Sequence, residues 1–489
     1  MILDAVSLHS RAARRKSEQM TNEGLEEVVE RKEYVEKYGF YQDVEYEDFP
    51  KGLSEDVVRK ISKLKHEPEW MLEKRLTGLK VFYSKPMPKW GADLSGIKFD
   101  DFYYFMSAKA KESNKWENVP EDIKQTFDKL GVPEAERKFF SGAEAQFDSS
   151  VVYSHVNEEL GKLGIVFTDT DTAVKKYPEL MKKYWGSVIP PSDNKFAALN
   201  TATWSGGSFI YVPKGVKVPM PLNAYFRINA KNSGQFERTL IIADEGADVT
   251  YLEGCTAPVY AHDALHSAVV ELIALEGSHI RYVTIQNWSK NVYNLVTQRA
   301  HVAKNAKVEW IDANIGSKIN MKYPSIFLQG EGASGEVLSI AIAGQSQVQD
   351  SGGKIYHLAS NTTSKIISKS VSKGSGVTTF RGLLHVAKDA ENVKSHVSCD
   401  ALLLDENAKT NTYPYNQINR NDAMISHEAK VGKISDDEIF YLMSRGISED
   451  DATAMIVLGF IEDLTKVLPV EYSLELKRLI KLDTSKGVG

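Results

Sequence analysis

The two cysteines of this 489-residue chain, Cys255 and Cys399, carry the most reactive chemistry its side chains offer. Each sits in strand-like texture, Glu253-Gly254-Cys255-Thr256 and His396-Val397-Ser398-Cys399-Asp400. A lone buried cysteine ordinarily acts as a small apolar residue, but as a thiolate it is a nucleophile and a soft metal ligand. His427-Glu428 is the other candidate. Thiolate, imidazole and carboxylate together make a mixed donor set that suits iron. On an extended strand, residues three apart face opposite sides, which makes His396 the weaker ligand beside Cys399. By the same rule His427 and Glu428 share a site only at a bend. Gly330, Gly332 and Gly335 form a GxGxxG, which binds a dinucleotide only where a helix opens after the last glycine. Here Glu336 to Ala343 reads as strand, so a tight corner is expected. No GxxxxGK[ST], HExxH or CxxC occurs, so neither ATP hydrolysis by the chain itself nor those zinc and redox chemistries are expected.

Composition excludes other classes. Lys plus Arg number 60 against 66 Asp plus Glu, a net charge of -6, so neither nucleic acid nor a membrane surface is an expected partner. Hydrophobic residues at 42% and charged residues at 26% exclude wholesale disorder. No run of about 18 apolar residues appears, and Met1 to Arg15 lacks the apolar core of a secretion signal. Two cysteines cannot staple an extracellular fold; reduced thiols and a cytoplasmic location are expected.

The elements that must position these residues divide the chain into three expected regions. Residues 1–165 read as mixed and mostly helical, with helix candidates over Leu25 to Tyr38, after Pro68 (Trp70, Met71, Leu72, Leu76, Leu79), over Pro133 to Phe140, and over Phe147 to Leu163. Pro86 and Pro88 break the second. Residues 166–425 read as strands and turns. An apolar run, a few turn residues and a β-branched residue recur, with anchors at 249, 280, 308 and 337, separated by 31, 28 and 29 residues. A strand-only period of that length predicts a β-solenoid, with a β-sandwich as the competitor. About five coils of about 4.8 Å would then hold Cys255 and Cys399 about 24 Å apart, too far for a disulfide. Residues 426–489 read as helical again, with a capping box at Ser435-Asp436-Asp437-Glu438 and a second cap at Ser448.

Several phrases together resemble the SufB/SufD family, and within it the SufB scaffolds of the SUF iron–sulfur cluster assembly system. They are Glu67-Pro68-Glu69-Trp70-Met71-Leu72, Trp204-Ser205-Gly206-Gly207-Ser208, Tyr211-Val212-Pro213-Lys214-Gly215-Val216, Glu253-Gly254-Cys255-Thr256-Ala257-Pro258, Ser426-His427-Glu428-Ala429, Ile439-Phe440-Tyr441 and Ser444-Arg445-Gly446-Ile447. The Cys-Thr-Ala-Pro and Ser-His-Glu-Ala phrases favour SufB over its paralogue SufD. The resemblance implies a mainly β fold, a right-handed parallel β-helix between helical N- and C-terminal domains. It also implies a non-enzymatic scaffold that accepts persulfide sulfur, builds a transient [4Fe-4S] or [2Fe-2S] cluster at a dimer interface and releases it. The implied partners are SufC, an ABC-type ATPase docked by the C-terminal helices (Phe440 and Ile456 here), SufD or a second SufB, and SufE or SufU with a cysteine desulfurase. Reduced flavin (FADH2) is associated with the family complex, although no flavin motif is visible.

Residue by residue, the resemblance makes Cys255 the sulfur acceptor and Cys399, His427 and Glu428 the nascent-cluster ligands. It makes Arg227, Asn229, Glu237, Gln286, Trp288 and Lys304 a polar route between the cysteines. A persulfide is anionic, so Arg227 and Lys304 would hold it while Asn229 and Gln286 guide it. A nearby cation would also lower the acceptor thiol's pKa. The N-terminal CxxCxxxC-like cluster of many family members is absent, which places the burden on Cys399. The competing readings are a SufD-like structural partner and a β-helix carbohydrate enzyme.

Overall fold

The computed structural model describes Phe40 and residues 44–108, 116–130, 142–156, 158–230, 233–257, 263–468 and 470–484. One compact unit spans Tyr41–Lys433; the helices after Ile434 belong to a second. The expected helices over Leu25 to Tyr38 and Pro133 to Phe140 lie outside the described residues.

In the first unit, short strands stack into a parallel β-solenoid of about eight turns. Two sheets form its walls. Asp248–Thr256, His279–Trp288, Lys307–Gly316, Ser334–Ala343, Thr363–Ser372, Lys394–Leu403 and Met424–Lys433 follow one another in the first sheet. Arg238–Ala243, Val269–Ala274 and Val292–Val302 begin the matching run in the second, which ends with Val377–Val386 and Lys409–Ile418. The register stacks Val249, Ile280, Val308, Gly335, Ser364, Ser395 and Ile425 in turn, steps of 31, 28, 27, 29, 31 and 30 residues. The fourth expected anchor is therefore two residues out, since Val337 pairs with Trp310. With a side-chain period of two, such a slip leaves the inward face unchanged.

Apolar inward residues fill the wall-to-wall space, and both cysteines belong to this one core. The corners are tight. A Cβ at Gly330 would lie 2.0 Å from the Lys304 backbone nitrogen, and Gly332 has a φ of +71°, a region L-residues rarely adopt. The GxGxxG is thus a corner followed by a strand, as its sequence context predicts.

Two boundaries differ from expectation. Residues 147–163 do not form one helix: Ser150–Val156 is a strand, antiparallel to Gly142–Phe147, which pairs in parallel with Leu222–Arg227. The β-branched pair Val151 and Val152 favours the pleated surface, so the N-terminal region contributes to the first sheet. The helix Glu69–Ser84 does form, with Pro68 at its N-cap, and packs with Lys195–Thr203 along the outside of the solenoid. At the other end, helices do not return at 426. The strand Met424–Lys433 pairs in register with Lys394–Leu403, and the first helix begins at Asp436.

In the second unit Ser435 and Ser448 cap the helices Asp436–Met443 and Glu449–Phe460 by accepting from the Glu438 and Asp451 amides. Ala452, Ala454 and Val457 are buried, while Phe440 is 72% exposed and Tyr441, Met443, Met455 and Leu474 are exposed beside it in sequence or on neighbouring helices. No helix among the described residues is long and apolar enough to cross a membrane.

Candidate functional site

Alternation along each strand decides which side chains enter the solenoid. In Asp248–Thr256, Val249, Tyr251, Glu253 and Cys255 face inward. Parallel pairing stacks equivalent side chains coil upon coil. The Glu253 position continues through Thr284, Asp312, Ser339 and Ser368 to Cys399. Every member of this file is buried and polar or a thiol. The Cys255 position continues through Gln286 and Asn314. Facing them from the second sheet runs Gln235, His266, Asn294, Asn320, Gln349 and Thr378. The files are cross-linked. Asn294 Nδ2 donates to Gln286 Oε1 at 2.6 Å and to Asn320 Oδ1 at 2.7 Å, and Lys322 forms a fully buried ion pair with Asp312.

Counting pairs, five coils separate the level of Cys255 from that of Cys399. At about 4.8 Å per coil the thiols stand about 24 Å apart. Between them Thr284 Oγ1, Ser339 Oγ, Asn314 Oδ1 and Gln349 Oε1 are buried without a hydrogen-bond partner among the described residues. Orphaned polar atoms in a core are costly, and each calls for a reason.

At one end, Cys255 Sγ lies 3.6 Å from Glu253 Oε1, and Tyr282 Oη donates to Glu253 Oε2 at 2.6 Å. Burial pushes the Glu253 carboxyl up to about 7, with the Glu237 charge adding to it. Burial, then Glu253 and Glu237, push the Cys255 thiol well above the usual thiol range. The expected cation-activated thiolate is therefore not what this site holds: the Glu253 and Glu237 carboxyls outweigh the lowering effect of Lys322. Glu237 in turn pairs with His266, whose other ring nitrogen meets Asn294. The Trp288 ring lies 4.6 Å from that imidazole and its indole donates to Gln286 Oε1 at 3.3 Å.

At the other end, Cys399 is 5% exposed and its Sγ lies 3.6 Å from the Glu428 carbonyl oxygen. Burial, with Asp400 beside it, raises this thiol too. His427 pairs with Val397 and therefore shares the inward face of Cys399, one coil on and two residues back. Its Nδ1 lies 3.3 Å from the Asn416 carboxamide, Nε2 has no partner among the described residues, and burial holds its pKa down. Glu428 pairs with Ser398 and so points to the opposite face, 3.5 Å from Lys430 Nζ. Because Met424–Lys433 is a regular strand, the bend that would unite His427 and Glu428 is absent. Among the described residues no three His, Cys, Asp or Glu side chains gather closely enough to hold a metal ion.

With this arrangement in view, the comparisons decide the family. A family model described as SUF system FeS cluster assembly, SufBD core domain, matches residues 226–460, and one described as SufBD protein N-terminal region matches residues 118–224. Over 454 residues the chain is 56% identical to iron–sulfur cluster assembly SufBD family proteins of Staphylococcus haemolyticus (strain JCSC1435) and Staphylococcus aureus (strain MRSA252), covering 93% of this chain and 98% of each relative. The chain belongs to the SufBD family.

The SufBD solenoid sorts the expected residues into three groups. Cys255, Glu237, Gln286 and Trp288 lie together in the interior network. Arg227 and Asn229 are buried, but the register places Arg227 on the side of Thr256, opposite Cys255, where Nη1 donates to Thr256 Oγ1 at 2.9 Å. Asn229 joins Tyr46 and Asp148 on that side. Lys304 is an exposed corner residue, its charge on a solvated turn and outside the interior file. Sequence reasoning missed Glu253, Thr284, His266, Asn294, Asp312 and Lys322. Their signal is positional. After two apolar inward residues, strands continue with polar ones: Val249, Tyr251, then Glu253; Ile280, Tyr282, then Thr284 and Gln286; Val308, Trp310, then Asp312 and Asn314.

Proposed function

We propose that this SufBD protein is the scaffold, SufB-type member of its assembly system: Cys255 accepts sulfur, the interior file passes it on, and Cys399 with His427 holds the nascent cluster. The observation that carries this reading is the unbroken buried polar file from Glu253, hydrogen-bonded to Cys255, to Cys399. Stability alone does not call for such a file, since an apolar core is as good or better.

Sulfur acceptance follows from the site at Cys255. The thiol gives its proton to Glu253 as it attacks the outer sulfur of a donor persulfide. A sulfur–sulfur bond forms at Cys255, the donor's breaks, and the departing donor thiolate takes the proton. With its carboxyl near 7, Glu253 is matched to that exchange at neutral pH. For sulfur to leave, a two-electron reductant, such as a pair of thiols oxidised to a disulfide, cleaves that sulfur–sulfur bond, returning the Cys255 thiol and releasing hydrosulfide, and Lys322 is an interior cation available to that anion along the file.

Cluster building is the work of the far end. Iron and sulfide are cargo here, and the residues fit them in part: Cys399 and His427 supply two donors on one face, Glu428 none on that face. A cluster normally takes about four ligands, and two copies of this pair would provide them. The last coil supports such pairing. Lys409–Ile418 and Met424–Lys433 each pair on one edge only among the described residues, and Tyr413, Tyr415, Ile418, Met424 and Val431 are exposed on them. Free edges with apolar side chains invite a partner strand, so a second solenoid subunit, SufD or another copy, is proposed there. The exposed Phe440, with Ile456, is proposed to dock an ABC-type ATPase. The glycine triplet at 330–335 leads into the strand Ser334–Ala343, not a helix, and so makes no dinucleotide pyrophosphate site.

Anaerobic reconstitution with iron, sulfide and reductant tests the reading. The wild type should gain charge-transfer absorbance and Cys399→Ser should not, with folding unchanged; equal absorbance would leave the chain an architectural subunit. Cys255→Ala should keep reconstitution from free sulfide while losing delivery from a desulfurase.

A further inference from the structure

A second site of different chemistry lies on the outer face of the second sheet. In Lys354–His357, Ile355 belongs to the solenoid core, so alternation sends Lys354 outward. There it borders a cavity of about 520 Å³ between the solenoid wall and the segment around Lys85–Trp90, floored by Met321 and Tyr323 and reached also by Lys195 and Arg299. That volume is in the range of small-molecule sites.

The chemistry of the lining is asymmetric. Trp90 is 52% exposed, its ring 5.5 Å from that of Tyr323. The Lys354 ammonium lies 5.1 Å from the Tyr323 ring centroid and 5.7 Å from that of Trp90, yet no hydrogen bond or ion pair to it is found among the described residues. Of the four other lining cations, Lys85, Lys89, Lys195 and Arg299, the last two are engaged. Lys195 donates to the Phe82 and Lys85 carbonyls, and Arg299 pairs with Asp193 at 3.1 Å. Tyr323 Oη and Arg381 share Asp350, which keeps that carboxylate from Lys354. A largely enclosed ammonium between aromatic rings, in a cavity with excess positive charge, is short of one anion. We propose that this cavity binds a nucleoside monophosphate, its base on the Trp90 face and its phosphate on Lys354.

Burial, then the neighbouring Arg299, lower Lys354 to about 8 against the opposing charges of Asp193 and Asp350. The site shares no residue with the sulfur file or with the proposed cluster ligands, so it stands or falls independently of them.

Calorimetric titration of the full chain with AMP, GMP and UMP, and separately with adenosine and inorganic phosphate, tests it. At least one nucleotide should bind with a sub-millimolar Kd, at least tenfold tighter than both adenosine and phosphate. Lys354→Met and Trp90→Ala should each weaken it tenfold or more, and Lys354→Arg should restore part of the loss. Lys354→Met removes no hydrogen bond, and an unchanged thermal midpoint would show that the variant folds. Absence of heat from all three nucleotides would overturn the proposal. So would phosphate alone binding as well as the nucleotides, or wild-type affinity in Lys354→Met.

Discussion

Replacing Glu253 by Gln separates catalytic from structural effects, because the two are expected to move in opposite directions. The carboxyl titrates near 4.5 in an unfolded chain and at about 7 in the fold. Between those values the folded state binds more protons than the unfolded one, so the residue's contribution to stability falls as pH rises from about 4.5 and stays low above about 7. The shift, 7 − 4.5 = 2.5 pH units at 1.36 kcal/mol each, makes the ionised form about 3 kcal/mol worse for the fold at pH 8 than the neutral form. Glutamine does not titrate and still accepts from Tyr282. The stability of Glu253→Gln relative to wild type should therefore climb by up to about 3 kcal/mol between pH 4.5 and pH 8, read from urea midpoints of the solenoid transition at each pH. Over the same range, the rate at which a donor persulfide modifies Cys255 should rise with pH in the wild type and level off above about 7. In the variant it should be at least about a hundredfold lower at pH 8, the size of a lost general base. Parallel stability curves for the two proteins, or a variant that accepts sulfur at the wild-type rate, would refute the base assignment.

Thr284→Val keeps side-chain shape and deletes a buried hydroxyl that has no partner among the described residues. It should stabilise the fold by about 1 kcal/mol in denaturant titration while slowing sulfur arrival at Cys399 in a labelled-sulfur assay. Lys322→Met alone should destabilise by about 3–5 kcal/mol, since it strands Asp312 in the core, and Lys322→Met with Asp312→Leu should recover most of that without recovering sulfur transfer. His427→Ala should cut cluster content on reconstitution as far as Cys399→Ser does, and Glu428→Ala should not, because only His427 shares the face of Cys399; the reverse ranking would mean the last strand rearranges on loading. Charged replacements at Phe440 and Ile456 should weaken binding of the ATPase, measured by co-purification or calorimetry, with no change in the solenoid's unfolding.

The solenoid was legible because its period is set by coil geometry, which tolerates loose sequence so long as apolar residues return at the corners and inward positions. Even so, Gly335 occupies the place where a β-branched anchor is expected, and the eye moves to Val337. The file escaped notice for a related reason. Thr284, Asp312 and Ser339 are unremarkable one at a time, and only the register puts them in line. Charge misled in the opposite direction. Arg227 and Lys304 look like persulfide holders, yet an unpaired cation is cheapest in a solvated corner, where Lys304 sits, and Arg227 finds its partners on the other side of its strand. Lys322 is an interior cation, and the fold tolerates it because Asp312 stands opposite. The last strand was hidden by its composition: Ser426-His427-Glu428-Ala429-Lys430 carries little apolar signal because one edge and much of its surface are left uncovered.

That uncovered coil ties the ligand count to assembly. A cluster held by four thiolates within one chain would be hard to give up, whereas one thiol and one imidazole per chain cannot complete a site alone. If the cluster forms only where two such ends meet, any motion that parts the subunits removes half the ligands at once. On the proposed reading, the ATPase then needs no contact with the metal: it has only to bias the equilibrium between joined and parted ends. On that same proposed reading, two ligands on an open solenoid edge, poor as a permanent metal site, are what release requires.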